Sequence, residues 1–248
     1  MTIRAALSQY GIVGLLLLVV LVRAVLARRR TPRRQERHDA IAALCQQRGL
    51  VAGPVQLGPV FEVAMALSRP VFENTFSSPD GGASAADLWR LYNKSWYGFS
   101  MLAFRVPGLN MPHVEVSRHD IPGRTLGLGM SPVGLESIDF NSKFVVTSAD
   151  RRAAVMLLDE QMIQWLLDCE EVGFEIGTDR VVALVRRRAE PTYQPTLGPG
   201  FLLLGQSHEP YSNPRKADPV ELGLLFKFWD GFVAKLPALL STEFPSSS

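Results

Sequence analysis

Residues 96–106 read WYGFSMLAFRV, a run that is mainly apolar at both odd and even positions. Successive side chains of a strand point to opposite faces, so this pattern predicts a central strand that is buried on both sides. Shorter runs with strand character, separated by turn residues, lie around it at 60–66, 71–76, 113–117, 144–147, 174–176 and 181–185. The last two runs flank Gly177-Thr178-Asp179 and predict a hairpin.

Three segments have the periodicity of helices. The pair Thr31-Pro32 is a start signal for a helix that ends near residue 48, and the segments 149–169 and 218–237 predict two more. Strands do not alternate strictly with helices, so the sequence predicts an α+β fold with an antiparallel sheet packed by two or three helices. We expect residues 31–237 to form this single domain and residues 238–248 to be a disordered tail.

Residues 1–30 have the pattern of a single transmembrane helix with a basic flank. The positions expected to face the hydrocarbon are all aliphatic: Ile12, Leu15, Leu16, Leu17, Leu18, Val19, Val20, Leu21 and Val22. A cleaved signal peptide places its positive charge before the apolar run. Here only Arg4 precedes the run, and seven arginines follow it, from Arg23 to Arg37. The order of charge therefore favours a retained, single-pass anchor.

The basic charge of the chain is concentrated beside this anchor. The net charge is +2, but residues 1–37 alone carry +7, which leaves −5 for the rest. A nucleic-acid-binding domain carries its basic patch on the fold itself, so this distribution argues against nucleic acid as a partner. We expect lipid headgroups to be contacted by the arginines that follow the span: Arg28, Arg29, Arg30, Arg33 and Arg34. The positive-inside rule then places the N-terminus outside the cell membrane and the main domain in the cytoplasm.

A set of residues between Phe61 and Arg187 supports a family resemblance. They are Pro107, Pro112-His113-Val114-Glu115, Glu136, Phe140-Asn141, Phe144-Val145-Val146, Asp150-Arg151, Ala154, Leu158-Asp159, Met162 and Trp165-Leu166-Leu167. With these residues the chain resembles an uncharacterised family of membrane-anchored proteins from high-GC Gram-positive bacteria. The resemblance implies a shared fold and a membrane location, and it implies no catalytic residues.

The residue types that bind metals are concentrated in one place. His113 and Glu115 share one face of a predicted strand, and His119 and Asp120 follow in the next turn. Two histidines and a carboxylate can hold a metal ion. The same residues also fit the solvated face of a strand whose valines point inward, and we expect that arrangement.

Other motifs that suggest catalysis are incomplete. The glycine-rich segment 123–129 lacks the lysine–hydroxyl pair of a phosphate-binding loop and the glycine spacing of a dinucleotide site, so we expect a turn there. The chain has no nucleophile elbow. We expect Cys45 and Cys169 to be buried thiols. The sequence therefore predicts no catalytic, cofactor-binding or metal-binding residue, no cofactor, and a protein that is not an enzyme.

Two further features bear on partners. Aromatic side chains are dense in one segment, at Trp89, Tyr92, Trp96, Tyr97, Phe99 and Phe104. Those not needed for the core are suited to a partner surface or a pocket. The apolar run Phe201-Leu202-Leu203-Leu204 is either a buried strand or a loop that dips into the membrane.

These features together predict a membrane-tethered, non-enzymatic domain that binds or organises a protein partner at the inner face of the membrane. The alternative is a domain that binds a lipid or small ligand at the membrane surface, in a pocket between the sheet and a helix.

Overall fold

The computed structural model describes residues 35–58, 70–92, 95–119, 130–169, 171–187 and 219–240, together with Leu18 and Phe61. At 91, 92, 95, 96 and 236–240 it describes the backbone only. The predicted membrane span, its basic flank, the glycine-rich segment 123–129, the run 201–204 and the tail from 241 lie outside these ranges, apart from Leu18. No helix within the described ranges is both long and apolar enough to cross a bilayer.

Nine strands of the described chain form one antiparallel sheet. They are β1 (Val51–Ala52), β2 (Val71–Ser77), β3 (Ala83–Tyr92), β4 (Ser95–Arg105), β5 (Met111–Arg118), β6 (Ser131–Val133), β7 (Phe144–Ser148), β8 (Val172–Thr178) and β9 (Arg180–Arg186). Their order across the sheet is β1-β2-β3-β4-β9-β8-β5-β7-β6. The predicted antiparallel α+β class is confirmed, as are the hairpin, now β8–β9, and a strand at 71–76. Of the strand predicted at 60–66 only Phe61 is described, and the prediction is wrong there because Phe61 is helical.

Five helices of more than one residue are described, so the prediction of two or three helices is wrong. They are α1 (35–47), α2 (Ile138–Lys143), α3 (Arg151–Leu157), α4 (Glu160–Asp168) and α5 (Val220–Leu240). The single helix predicted at 149–169 is wrong, since the chain breaks it between α3 and α4. The carboxylate of Asp159 accepts a hydrogen bond of 2.7 Å from the backbone N–H of Met162, so it starts a new helix as an N-cap. Helix α5 continues three residues past Pro237, where the sequence predicts its end.

The first core lies on one face of the sheet, and all five helices contribute to it. Ile41 and Cys45 come from α1, and Phe228 and Phe232 from α5. The Phe228 and Phe232 rings lie 5.3 and 5.8 Å from the ring of Phe174 on β8, between centroids. This aromatic packing fixes α5 against the middle of the sheet.

The second core lies on the opposite face. It consists of buried apolar residues, most of them from the central strands: Leu57, Phe61, Ala86, Leu88, Phe99, Met101, Ala103, Val182 and Leu184. Strand β4 contributes to both cores, because Phe99 and Met101 belong to the second and Leu102 and Phe104 to the first, each fully buried. The prediction of a central strand buried on both sides is confirmed.

Candidate functional site

A buried ion pair joins the first helix to the sheet. Arg37 on α1 donates from Nε to Asp87 Oδ2 at 3.0 Å and from Nη2 to Asp87 Oδ1 at 2.9 Å. Asp87 lies in the middle of β3 and also accepts a hydrogen bond of 2.8 Å from Asn74 Nδ2. The Arg187 Nη1 atom lies 3.4 Å from Asp87 Oδ2. The hydroxyl of Ser100 donates to Asp87 Oδ1 at 3.4 Å, so the carboxylate has two guanidinium partners, one amide partner and one hydroxyl partner.

The two guanidinium groups and one carboxylate of this group carry a net charge of +1 in a water-poor environment. Arg37, Asp87 and Arg187 are 5%, 1% and 6% exposed. Burial by itself raises the pKa of the Asp87 carboxyl, but the positive charges of Arg187 and Arg37 and the hydrogen bonds from Arg37 and Asn74 outweigh it and hold that pKa below its ordinary value. Asp87 is thus a carboxylate at neutral pH, as a bidentate arginine partner requires.

The same group includes one of the predicted aromatic residues. The Arg187 guanidinium carbon lies 4.2 Å from the centroid of the Trp89 ring. Trp89 is 3% exposed and donates from Nε1 to Glu73 Oε2 at 3.2 Å. This tryptophan therefore has a structural role, with a cation on its face and an acceptor for its N–H.

The other end of α1 is held by a second ion pair. Arg48 follows the helix and donates to both carboxylate oxygens of Asp230 on α5, at 2.7 and 2.8 Å. Its guanidinium also lies 5.2 Å from the centroid of the Phe226 ring. This pair is exposed, unlike the pair at Arg37, so it orients the helix more than it stabilises the fold.

A row of polar residues crosses the second face at strands β8, β5 and β7. In the strand register Glu115 lies opposite Glu175 on one side and Thr147 on the other. The hydroxyl of Thr147 donates to Glu115 Oε2 at 3.3 Å, and His113 Nε2 lies 3.4 Å from Glu175 Oε2. Glu115 and Glu175 are only 3% and 6% exposed.

Burial and like charge change the protonation of this row. Burial, followed by the negative charge of Glu175, raises the pKa of the Glu115 carboxyl to about 7. On the same face, burial lowers the pKa of the Arg90 guanidinium, although the charges of Glu175 and Glu115 oppose that change. The row can therefore gain or lose a proton near neutral pH.

The sequence placed His113 and Glu115 on one strand face, and the structure confirms it. The expectation that this face is solvated is wrong for Glu115, because the sheet is packed on both sides. His119, at the other end of β5, has a ring nitrogen 3.1 Å from the carbonyl oxygen of Asn141 and is exposed. Asp120 lies outside the described residues, and the part of the chain that is described contains no group of three residues able to hold a metal ion.

The two cysteines differ in burial. Cys45 is fully buried, and burial, with a smaller contribution from the charge of Asp87, raises the pKa of its thiol to about 12. Cys169 is half-buried, and burial followed by the charge of Asp168 raises its pKa to about 11. The prediction of two buried thiols is correct for Cys45 and wrong for Cys169.

The remaining aromatic residues of 89–104 divide between core and edge. Phe99 and Phe104 are fully buried. Tyr97 is half-buried, and the Arg186 guanidinium lies 5.2 Å from its ring centroid. The side chains of Tyr92 and Trp96 are not described, but the backbone places both residues at the end of the β3–β4 hairpin.

Comparisons with known proteins give one weak similarity. No protein-family model matches the chain, and no curated protein matches it. Among solved structures, the chain is similar to the crystal structure of the mycobacterial trehalose monomycolate transport factor A, TtfA, with a TM-score of 0.41 and 11% sequence identity. The similarity covers 60% of this chain and 82% of that one. A likeness at this level does not define a shared function, and membership in the family that the sequence resembles stays a prediction.

Proposed function

We propose that the chain is a membrane-tethered, non-enzymatic binding domain at the inner face of the membrane, where it binds or organises a protein partner. The observation that carries the proposal is the attachment of helix α1 at both ends. The described part of helix α1 starts at residue 35, five positions after the predicted anchor segment ends at residue 30, and Arg37 and Arg48 join it to β3 and α5. A packed helix gives the domain a set position at the membrane, whereas a flexible linker does not.

The charge pattern supports the inner face. The arginines that follow the predicted span in sequence satisfy the positive-inside rule, and the same residues suit anionic headgroups. The domain itself is mildly acidic, so its attraction to an anionic membrane is confined to this flank and to local basic sites.

The bonding of the buried charges supports a structural role for them. Both oxygens of the Asp87 carboxylate are engaged by Arg37, and one of them also by Asn74. Such a carboxylate positions secondary structure, whereas a catalytic acid or base needs an oxygen within reach of a substrate.

The proposal is tested by separating tether from domain with a flexible insertion. Six glycine and serine residues are inserted between Arg34 and Gln35 in the full chain, and the same six are inserted after Ser246 as the control. We expect both variants to remain in the membrane fraction after alkaline extraction. In intact cells we expect a chemical crosslinker to join the parent chain and the control variant to a protein of defined mass. We expect the insertion after Arg34 to lower the yield of this crosslinked product.

Three outcomes count against the proposal in different ways. Release of the parent chain by alkali contradicts the tether. A parent chain that gives no crosslinked product contradicts the protein partner. If the insertion after Arg34 leaves the yield of crosslinked product unchanged, partner binding does not require a fixed position of the domain at the membrane.

A second candidate function is the binding of a lipid or small ligand, and the second face favours it. This side of the sheet combines a buried apolar core with a buried carboxyl pair, Glu115 and Glu175, and an amphiphile that enters this interior matches both parts. Native mass spectrometry of the full chain in detergent tests it. One discrete added mass that is lost in Glu175→Gln but kept in Glu136→Gln, an exposed control, supports a ligand at this row. Detection of only the unliganded chain contradicts this candidate function.

A further inference from the structure

The pairing of β5 with β8 is a seam in the sheet. In the described sheet, strands β5, β7 and β6 join the other six strands through this pairing. The pairing is irregular, because three steps along β5, from Met111 to Val114, correspond to two steps along β8. An extra residue of this kind is a β-bulge, which stays unpaired and disrupts the ladder of hydrogen bonds locally. The seam is therefore a weak place in the backbone ladder.

Two carboxyl groups face each other across the seam directly after the bulge. Glu115 lies opposite Glu175 in the strand register. Side chains at such positions leave the backbone from Cβ atoms about 5 Å apart, and like charges there destabilise a strand pair. Both residues are buried, so water screens their repulsion little. The seam is therefore most stable when one of the two carboxyl groups is neutral.

The polar and charged groups around the pair relieve this repulsion only in part. From β7, the Thr147 hydroxyl donates to Glu115 Oε2 at 3.3 Å. From β5, His113 Nε2 lies 3.4 Å from Glu175 Oε2. From β3, the buried guanidinium of Arg90 attracts both carboxylates. Burial and the charge of Glu175 still prevail, and they raise the pKa of the Glu115 carboxyl to about 7.

The opposite side of the seam is closed by apolar packing. Val114 and Val116 of β5 and Phe174 and Ile176 of β8 are buried in the first core. These side chains carry no ionisable group, so their packing does not depend on pH. A change in the charge of Glu115 therefore acts on the second face of the seam, while the first core holds the two strands in place.

We propose that the seam is a proton-operated switch, which is closed while Glu115 carries a proton and loosens toward the second face when that proton is lost. In this step the O–H bond of the Glu115 carboxyl breaks and the proton passes to water. The carboxylate that remains is repelled by Glu175 and is stabilised by hydration once the seam loosens. The switch needs neither the anchor nor the partner of the proposed function, so the two stand or fall separately.

The direction of the response follows from the two states of Glu115. In the closed seam its pKa is about 7, and in a hydrated, open seam it returns toward the ordinary value of 4.5. Ionisation therefore favours the open seam as the pH rises above 4.5. This gain stops near pH 7, where the carboxyl ionises in the closed seam as well. Opening is thus rarest at acid pH and reaches its maximum near pH 7.

Hydrogen–deuterium exchange of the full chain in detergent measures this opening. Rates are taken from pH 5 to pH 8 and corrected for the direct effect of pH on amide exchange. Strands β3 and β4, which pair at ten positions, are the internal reference. Between pH 5 and pH 8 we expect protection of the β5 and β8 amides to fall at least about tenfold more than that of the reference. We expect the fall to level off near pH 7.

Two results for the parent chain overturn the switch. One is protection of the seam that does not change with pH. The other is an equal loss of protection in the seam and in the reference strands, because the whole domain then loses stability and no local opening occurs.

Variants test whether Glu115 is the group that releases the proton. Glu115→Gln cannot ionise, so we expect the seam to keep at pH 8 the protection that it has at pH 5. Glu136→Gln changes an exposed carboxyl, and this matched control is expected to follow the parent chain. A Glu115→Gln variant that follows the parent chain overturns the switch.

Thr147→Val gives an independent readout. It removes the hydroxyl that favours the Glu115 carboxylate, so we expect protection to continue falling above pH 7 before it levels off. If protection levels off at the same pH as in the parent chain, Glu115 does not hold the proton and the switch is overturned. Protection of β3 and β4 at pH 5 reports that each variant is folded.

Discussion

Arg37 and Asp87 lie fifty positions apart in sequence and are joined by two hydrogen bonds of 2.9 and 3.0 Å in the protein interior. The pair connects α1 to strand β3 of the sheet. A buried ion pair adds little net stability, since desolvation offsets the attraction, but removal of one partner is costly. The pair is thus best understood as a device that fixes the position of α1.

The first prediction concerns this pair. Asp87→Asn keeps the shape of the side chain but leaves two buried guanidinium groups without their counter-charge. We expect the free energy of unfolding to fall by about 3–5 kcal/mol. Chemical denaturation of the full chain in detergent, followed by circular dichroism, measures it.

Asp230→Asn is the control, because it weakens the exposed pair at the other end of α1. We expect it to cost below about 1 kcal/mol. Equal losses in the two variants would show that the Arg37–Asp87 pair is not buried in solution.

The second prediction concerns pH. The folded chain holds a proton on Glu115 up to about pH 7, whereas the unfolded chain releases it near the ordinary pKa of 4.5. The resulting stability is complete below pH 4.5 and is lost as the pH rises through 7. Glu115→Gln cannot ionise, so we expect it to be more stable than the parent at pH 8, by on the order of 2–3 kcal/mol, and about equal to it at pH 5.

Thermal unfolding of both chains at the two pH values tests this expectation. Glu136→Gln removes an exposed carboxyl and serves as the control, with little change expected at either pH. A Glu115→Gln variant that is less stable than the parent at pH 8 would contradict the buried location of Glu115 beside Glu175.

The third prediction concerns the break between α3 and α4. Asp159→Ala removes the acceptor for the Met162 N–H, and we expect a loss of about 1 kcal/mol in the free energy of unfolding. Gln161→Ala is exposed in the same turn and is expected to be close to neutral. If the two variants are equally stable, Asp159 does not cap α4.

The fourth prediction concerns thiol reactivity. Both thiol pKa values are raised, but Cys169 is half-buried and Cys45 is fully buried, and only the thiolate attacks a disulfide reagent. At pH 8 we expect slow labelling of Cys169 and still slower labelling of Cys45, with both fast in denaturant. Mass spectrometry of peptides at timed intervals separates the two sites. Faster labelling of Cys45 than of Cys169 in the native chain would contradict the packing of α1 on the sheet.

The strands that sequence predicts well are those with a simple apolar pattern. Strand β4 is apolar at both odd and even positions because it has a core on each side. Strand β3 escaped prediction, although it pairs along its whole length with β4. It carries Asp87 and Arg90, which are buried only because residues distant in sequence supply opposite charges. A local sequence pattern does not identify such partners.

The candidate sites show the same limit. The sequence places His113 and Glu115 on one face, but it gives no sign that Glu175, sixty positions later, lies opposite Glu115. Likewise, the break at Asp159 has a local signal, because Asp159 is an N-cap residue before Glu160. The apolar stripe that includes Leu158 and Met162 continues across this position, however, and predicts one unbroken helix. Local signals predict elements, whereas pairings between distant strands bring the charged residues together.

The sidedness of the domain is the central claim, and one labelling experiment tests it most directly. A single accessible cysteine is placed by Ser246→Cys in a Cys169→Ser background, and intact cells are treated with a membrane-impermeant thiol reagent, with lysed cells as the reference. The account predicts that position 246 is protected in intact cells and labelled after lysis. Labelling of intact cells would contradict it and would place the domain on the outer side of the membrane.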